Sequence, residues 1–311
     1  MSVLAPVLFL LMWSSGAIFV KLGLMSASVW TFLFLRAAGA TLVLLIVLSL
    51  RYPRDLRVAL TLPLRVVLKA SGIGLMLQAG YQGAYFLAIA HGLSPGVLTI
   101  ILGAQPLLMP WVAREAVSTA GKGLLLLGFM GLVLAVLGTR DTSTASLWGI
   151  AFGVVALVGI TIGTALQKDL GLPIAQSIIW QYLGSVVVFT VCLLLAGWQA
   201  TLDFPFILST AWMVLVVSVG ANLLLLYLLN RHAASQVGNV FYFIPILTLA
   251  ADHYFYGAEI TWMTLAGGAG VVLSSLAFVG IESRMHKKKD DSSPNAHSGS
   301  AHSGAKAETA G

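Results

Sequence analysis

The residues of this chain whose types and spacing best suit a binding site are two amides and two phenols inside an apolar run. They stand at positions i, i+3, i+4 and i+7, so one face of a helix would carry all of them: Gln78, Tyr81, Gln82 and Tyr85. Such groups are costly in an apolar environment unless they face a bundle interior or a wet cavity. We therefore expect this stripe either to contact a small ligand through aromatic surface and hydrogen bonds, or to form a hydrogen-bonded seam between helices.

Other uncharged polar side chains stand inside separate apolar runs, and each could line the same cavity or belong to a packing seam: Trp13, Ser14, Gln105, Asn222 and Tyr242. Trp13 is half-way along its run, where an indole N–H needs a hydrogen-bond partner. Pro106 follows Gln105 directly, and Pro245 lies shortly after Tyr242. Because proline interrupts the hydrogen bonds of a helix and bends it, both prolines are candidate hinges of a gate, with a static packing bend as the alternative.

Ionisable residues are scarce in the apolar runs. Asp252 is the one acidic residue well inside a run, and His253 follows it. A buried carboxyl group whose protonation depends on burial and on ligand occupancy could couple proton movement to solute movement. Alternatively, Asp252 stands near the end of its run and pairs with Lys21 or Arg36. Arg36 could reach for the membrane surface, pair with Asp252 or meet a carboxylate of a ligand, and structural pairing is the simpler expectation.

Motifs for catalysis and for tightly held cofactors are missing from the sequence. It contains no Gly-x-Ser-x-Gly turn and no spacing typical of metal ligands. We therefore expect neither a cofactor nor a metal, and the chain is predicted not to be an enzyme. Cys192 is the only cysteine, so no internal disulfide can form.

Apolar runs of hydrocarbon length must position these residues. Apolar residues make up 59% of the 311, charged residues 9%, and the mean hydropathy is +0.95, whereas a soluble domain carries about 25% charged residues. A spanning helix needs about 17–25 mainly apolar residues, and a helix satisfies its own backbone amides in lipid. The sequence predicts an all-α polytopic membrane protein with ten transmembrane helices, at about residues 3–22, 29–50, 66–88, 95–113, 119–139, 147–167, 174–197, 209–229, 237–256 and 261–281.

Basic residues sort to one side of the membrane if ten helices alternate in direction. All 17 Lys and Arg residues fall there except Lys21, Arg36 and Arg140. Loops rich in Lys and Arg stay in the cytoplasm, so we expect both termini to be cytoplasmic. This distribution also argues against nucleic acid as the partner that the net charge of +6 could suggest.

The two halves of the chain echo each other. A pattern of His, Ser, Pro and Glu, followed by a Gly-rich run, occurs at 91–115 and again at 232–259. Because each unit would contain five spans, the second unit must enter the membrane inverted relative to the first. We expect two inverted five-helix repeats, 1–140 and 141–283, followed by a disordered cytoplasmic tail, 284–311.

Three ordered segments of the chain are similar to one known family. They are WSSGAIFVKLGL at 13–24 followed by TFLFLRAAGA at 31–40, GAYFLAIAHGLSPGVLTIILGAQPLL at 83–108, and the stretch 211–273. Each resembles the corresponding part of the EamA family of the drug/metabolite transporter superfamily, and the resemblance covers nearly all of 1–281. It implies a ten-helix bundle in a bacterial inner membrane that exports or exchanges small metabolites such as amino acids, amines or amphiphilic drugs. Asp252-His253 departs from the apolar residues common in the family, so inferences about coupling are weakest there.

The resulting hypothesis is a secondary transporter that works by alternating access through a central cavity, with export favoured by the resemblance. Its partners would be a small solute, the lipid bilayer, and either protons or a counter-solute. Assembly into a homodimer is left as an open alternative. A membrane-embedded enzyme is one alternative, and it would need a clustered acid and base near one interface. A non-transporting scaffold or receptor is the other, and it would need no polar stripe in mid-membrane.

Overall fold

The chain is helical throughout the part that the computed structural model describes, which is residues 4–112, 117–138, 146–231 and 244–291. In these ranges the backbone forms no strand, and the only β-type pairing is an isolated bridge between Ala27 and Ala200. The prediction of an all-α protein is confirmed for the described residues.

The helices follow the predicted apolar runs closely. In chain order they are α1 (Leu4–Gly23), α2 (Val29–Arg51), α3 (Pro53–Leu60), α4 (Leu64–Gly74), α5 (Gln82–Ala90), α6 (Pro95–Gly103), α7 (Gln105–Val112), α8 (Thr119–Leu137), α9 (Leu147–Leu170), α10 (Ile174–Ala196), α11 (Phe204–Trp212), α12 (Asn222–Arg231), α13 (Ile244–Tyr256) and α14 (Trp262–Asp291). Two wider π-helical segments join α4 to α5 and α11 to α12, namely Leu75–Tyr81 and Met213–Ala221.

Several helices are long and apolar enough to cross a bilayer, which makes the chain a multi-pass membrane protein. Among the described residues, six stretches meet this condition: Leu4–Gly23, Val29–Arg51, Leu147–Gln167, Ala175–Ala196, Phe204–Leu224 and Trp262–Ile281. A seventh would be counted if Pro53–Leu60 and Leu64–Ala90, which meet at a bend of 108°, formed one broken span.

The predicted spans at 95–113, 119–139 and 237–256 are not among these stretches. The run at 95–113 forms α6 and α7, which break at Ala104. The run at 119–139 forms α8, Thr119–Leu137. Of the run at 237–256, residues 237–243 lie outside the described residues, and residues 244–256 form α13. The count of ten spans therefore stays a prediction.

Residues 51–65, expected to be a loop, contain the short helix α3. Two side chains of α10 hold this helix in place. The indole N–H of Trp180 donates to the carbonyl of Ala59 at 2.9 Å, and the amide of Gln176 donates to the Asp55 carboxylate at 3.0 Å. Reading the sequence for hydrocarbon-length runs overlooks α3 because it is short and its residues are partly polar.

Helices that are distant in sequence pack in pairs. α2 packs against α10, α6 against α13, α8 against α14, α5 against α9, and α1 against α11. A Cβ at Gly267 would collide with backbone atoms of Ala135 and Gly131, so α14 and α8 are in close backbone contact. Large apolar side chains on the outside stay exposed, including Leu42 at 61% and Leu126 at 63%, as a lipid-facing surface requires.

Two loops meet at one end of the bundle. The backbone N–H of Ser28 donates to the carbonyl of Gln199 at 2.8 Å, and that of Thr201 donates to the carbonyl of Ser26 at 2.8 Å. The end of α1 therefore lies at the same end of the molecule as the end of α10.

Candidate functional site

The centre of the candidate site is Arg36, a cation on α2 that is only 5% exposed. Its Nε atom is buried and has no hydrogen-bond partner. Within the described ranges the one salt bridge of the molecule belongs to other residues, so no carboxylate there neutralises Arg36. A buried guanidinium with an unused donor is costly inside a membrane protein and marks a functional position more often than a structural one.

Aromatic side chains surround this guanidinium. Its Cζ atom lies 6.0 Å from the centre of the Phe86 ring, within the range of a cation–π contact. Tyr81, Tyr85 and Tyr182 interact with it electrostatically. The cluster draws on α2, on the π-helical segment and α5, and on α10, and these helices pack together.

The three tyrosines are buried, with exposures of 8% for Tyr81, 7% for Tyr85 and 2% for Tyr182. The rings of Tyr81 and Tyr85 touch edge to face, with centroids 5.9 Å apart. The hydroxyl of Tyr182 donates to the carbonyl of Ser218 at 3.5 Å. The structure thus places the two phenols of the predicted stripe beside the buried cation.

The two amides of the stripe are less buried than its two phenols. Gln78 and Gln82 are half-buried, and Gln78 lies in the π-helical segment that ends at Tyr81. The wider turn of a π-helix changes the spacing of side chains around the axis, so a face defined by α-helical spacing does not extend unchanged to Gln78. From Gln82 onward the chain is α-helical, which keeps Tyr81 and Tyr85 neighbours across one turn.

Asp252 belongs to a separate ion pair. Its carboxylate is 0% exposed, and the Nζ atom of Lys21 lies 3.5 Å from Oδ1. Oδ2 accepts a hydrogen bond from the backbone N–H of Gly96 at 3.1 Å, in the first turn of α6. Of the two partners expected for Asp252, the structure selects Lys21 and not Arg36. Tyr85 interacts electrostatically with both Asp252 and Arg36, so the ion pair borders the cluster around Arg36.

His253 lies away from this buried pair. Its side chain is exposed, and Nδ1 is 2.9 Å from the carbonyl oxygen of Ala258 in the loop after α13. The turn that allows this contact is made by Gly257, whose φ of 64° is in the left-handed region. His253 is therefore an exposed loop contact, and its adjacency to Asp252 in sequence does not make the two side chains one unit.

Trp13 and Ser14 lie on α1 at the contact with α12 and α13. Trp13 is half-buried and packs against Phe9, with ring centroids 5.5 Å apart. Ser14 is 5% exposed, and its hydroxyl oxygen is buried without a hydrogen-bond partner. The carbonyl of Ser14 accepts a long hydrogen bond of 3.5 Å from the hydroxyl of Thr248.

Two amide candidates form hydrogen bonds within the helix bundle. Gln105 donates through Nε2 to the hydroxyl of Thr164 at 3.1 Å, which joins α7 to α9. Asn222, the first residue of α12, donates through Nδ2 to the carbonyl of Ser218 at 2.6 Å, one turn earlier in the π-helical segment. The contact of Gln105 agrees with the alternative of a structural seam between helices, whereas that of Asn222 stays within one helical stretch and joins no two helices.

The proline candidates differ in what surrounds them. The helix break at Ala104 lies just before Pro106, so the chain is interrupted where a proline hinge was expected. Pro245 is the second residue of α13, and the chain that precedes it lies outside the described residues. Tyr242 also lies outside them.

Sequence reasoning missed the polar residues that α10 supplies. Tyr182 reaches the cluster around Arg36, and Gln181 donates to the side-chain oxygen of Gln167 at 2.6 Å and to the hydroxyl of Ser177 at 3.2 Å. The rule that singled out the Gln/Tyr stripe, polar groups inside an apolar run, applies equally to 174–197 and would have found them.

Comparison with known proteins adds a named relative and a shared fold. No family model matches the chain. It is 24% identical over 259 residues to the uncharacterized transporter YvbV of Bacillus subtilis (strain 168), and the match covers 78% of this chain and 80% of that protein. A solved crystal structure aligns with a TM-score of 0.61 and 17% identity, and covers 91% of this chain and 98% of that one. At that identity the structural match shows a common fold.

Proposed function

We propose that this protein is a secondary transporter that moves a small-molecule solute across a bilayer by alternating access. The observation that carries the proposal is the buried Arg36, which lies among tyrosines in a bundle of apolar helices and is neutralised by no carboxylate of the described residues. Ionisable residues at membrane depth usually mark the path of a solute or ion, because a purely structural helix gains nothing from the cost of burying a charge. The similarity to a protein named as a transporter supports the same function.

The proposed architecture is ten spans in two inverted repeats, 1–140 and 141–283. The packing of α2 on α10, α6 on α13 and α8 on α14 supports this arrangement, since each pair joins predicted spans that are five apart in order. A pseudo-twofold relation between inverted repeats brings corresponding helices together around a central site. The hydrogen bonds between the loops 24–28 and 197–203 agree with alternating span directions.

We further propose membership of the EamA family in the drug/metabolite transporter superfamily, with export from a bacterial cytoplasm and both termini cytoplasmic. The ordered resemblance over 1–281 and the sorting of basic residues support this assignment. A tag-accessibility experiment in intact cells tests the orientation. Labelling of both termini only after permeabilisation agrees with the proposal, and labelling of one terminus in intact cells contradicts it.

Counterflow in proteoliposomes is the test of transport itself. Purified protein is reconstituted with unlabelled amino acid or amine inside, and entry of the labelled solute is followed with and without a pH gradient. Tyr81→Ala is expected to abolish flux, whereas Tyr254→Ala, which changes an 82% exposed tyrosine, is expected to leave it intact. No flux of any solute with the wild-type protein, together with turnover of a lipid or nucleotide, would instead support the membrane-embedded enzyme.

Asp252→Asn separates two roles of the buried carboxylate in the same assay. Retained counterflow with loss of accumulation driven by a pH gradient indicates proton coupling at Asp252. Loss of both indicates that the pair with Lys21 holds the transporting structure together.

A further inference from the structure

We propose that Arg36 and the hydroxyls of Tyr81 and Tyr85 form an anchor for the carboxylate of the transported solute, whose apolar part lies against the surrounding aromatic rings. This inference rests on the proposed transport function and narrows it to solutes that carry a carboxylate.

The charges around Arg36 call for an anion. Among the described residues, Tyr85 interacts with Arg36 and with Asp252, and Asp252 pairs with Lys21, so two cations and one anion lie in or beside this cluster. Lys21 and the backbone N–H of Gly96 already occupy both oxygens of Asp252. One positive charge is left over, and it resides on a side chain that is 5% exposed. A bound carboxylate would neutralise it.

The guanidinium of Arg36 itself matches the shape of a carboxylate. A guanidinium presents its N–H groups in one plane and pairs with a carboxylate through two parallel hydrogen bonds. The Cζ atom of Arg36 lies over the Phe86 ring, 6.0 Å from its centre. The buried Nε–H has none at present.

Tyrosines suit this anchor better than acidic residues. A phenol donates a hydrogen bond to an anion and carries no charge of its own at neutral pH, so it does not compete with the solute for Arg36. A carboxylate of the protein in that place would neutralise Arg36 permanently. The rings of Tyr81, Tyr85 and Phe86 also supply aromatic surface beside the charged group, with centroid separations of 5.9 and 6.4 Å between neighbours.

Three probes with the same phenyl body test the proposal: phenylalanine, phenylpropionate and phenylethylamine. Binding to the detergent-purified full chain is measured by calorimetry and by the rise in melting temperature. We expect phenylpropionate and phenylalanine to bind and phenylethylamine, which lacks the carboxylate, to bind at least about tenfold more weakly, since hydrogen bonds to charged groups are the strong ones.

Substitutions at the anchor then locate the interaction. Arg36→Gln is expected to lower carboxylate affinity by about tenfold to a hundredfold, and Arg36→Lys, which keeps the charge without the planar fork, by less. Arg57→Gln, on the exposed face of α3, is the control for loss of one positive charge and is expected to bind as the wild type does. Tyr81→Phe and Tyr85→Phe remove only a hydroxyl and are expected to weaken binding severalfold.

The melting temperature distinguishes an anchor from a structural arginine. Removing an uncompensated buried charge is expected to leave the melting temperature of Arg36→Gln equal to that of the wild type or higher. Wild-type affinity for carboxylates in Arg36→Gln, or equal binding of phenylethylamine and phenylpropionate, would overturn the proposal. If Arg36→Gln does not fold, Arg36→Lys and the two phenylalanine variants decide: unchanged affinity in all three overturns the anchor.

The counterflow assay keeps this inference separate from the proposed function. Binding of carboxylates without any flux would refute transport and leave the anchor in place. Flux of phenylethylamine that Arg36→Gln does not change would leave transport in place and refute the anchor.

Discussion

The ammonium of Lys21 lies 3.5 Å from the carboxylate of Asp252 and joins the end of α1 to α13. The two partners differ in their access to water, because the side chain of Lys21 is 33% exposed and that of Asp252 is fully buried. Breaking an ion pair from one side leaves the other charge uncompensated, and the cost depends on whether that charge can regain water. Lys21 can do so, whereas Asp252 cannot.

This asymmetry predicts unequal effects of the two single substitutions. Lys21→Met is expected to lower the stability of the purified protein by about 1–3 kcal/mol, and Asp252→Asn by about 1 kcal/mol or less, since the exposed partner is screened. The measurement is the apparent melting temperature in detergent at neutral pH.

The double variant Lys21→Met/Asp252→Asn provides the control. It is expected to melt at a higher temperature than Lys21→Met alone, because it carries no buried unpaired carboxylate. If the two single variants lost equal stability, and the double variant lost the sum of the two, the interaction between Lys21 and Asp252 would contribute nothing to stability.

The contact between α8 and α14 predicts a strong position effect among glycines. Gly267→Ala places a Cβ against backbone atoms of Ala135 and Gly131 and is expected to cost about 1–3 kcal/mol. Gly267 lies in α14, and Gly123 in α8 is the comparison. A Cβ at Gly123 would meet nothing within 4 Å, so Gly123→Ala is expected to leave the melting temperature unchanged or slightly raised. A similar loss in both variants would mean that the close backbone contact is absent.

The hydrogen bond from Trp180 holds α3 against α10, so its removal is expected to release α3 locally. Trp180→Phe removes the donor to the Ala59 carbonyl and is expected to speed cleavage by trypsin after Arg54 or Arg57, with a loss of about 1 kcal/mol. Trp148→Phe, at a tryptophan that is 67% exposed, is the matched control and should be cleaved like the wild type. Equal cleavage rates in the wild type, Trp180→Phe and Trp148→Phe would show that the hydrogen bond from Trp180 does not hold α3 in place.

The loop between α10 and α11 predicts a dependence of stability on pH. The hydrogen bond from the hydroxyl of Ser26, at 2.6 Å, and then that from the backbone N–H of Phe206, at 2.9 Å, hold the pKa of Asp203 below its ordinary value. The stabilisation is therefore complete above the unfolded pKa of about 3.9 and is lost as the pH falls through the lower folded pKa.

Asp203→Asn tests this dependence because it removes the titrating group. The difference in melting temperature between wild type and variant is expected to be constant from about pH 7 to pH 5 and to shrink below about pH 4. Ser26→Ala, which removes the largest cause of the lowered pKa, should show a smaller difference with the same trend. A difference that persists unchanged under acid conditions would refute the role of the Asp203 carboxylate.

Helix positions follow well from the sequence because hydropathy is a local property. The runs 3–22, 29–50 and 174–197 correspond within a residue or two to α1, α2 and α10. Burial of apolar side chains in lipid and internal hydrogen bonding of the backbone are decided along one stretch of chain at a time. The same reasoning misses α3, whose helix depends on hydrogen bonds from α10.

The candidate site is only partly visible in the sequence, for a related reason. Tyr81 and Tyr85 stand out by their spacing within one run, but Tyr182 comes from a helix about a hundred residues away. Arg36 and Lys21 are equally plausible partners for Asp252 on paper, and the packing of α1 on α13 selects Lys21.

Composition and the lengths of the apolar runs are thus enough to establish a helical, multi-pass membrane protein with a few polar side chains at membrane depth, because transfer into lipid is additive over neighbouring residues. Which of those side chains are paired, and which cation has no counter-charge among the described residues, depends on how helices pack across the bundle. Lys21 and Asp252 satisfy each other, Arg36 lies among tyrosines, and that arrangement arises from contacts between segments far apart in the chain.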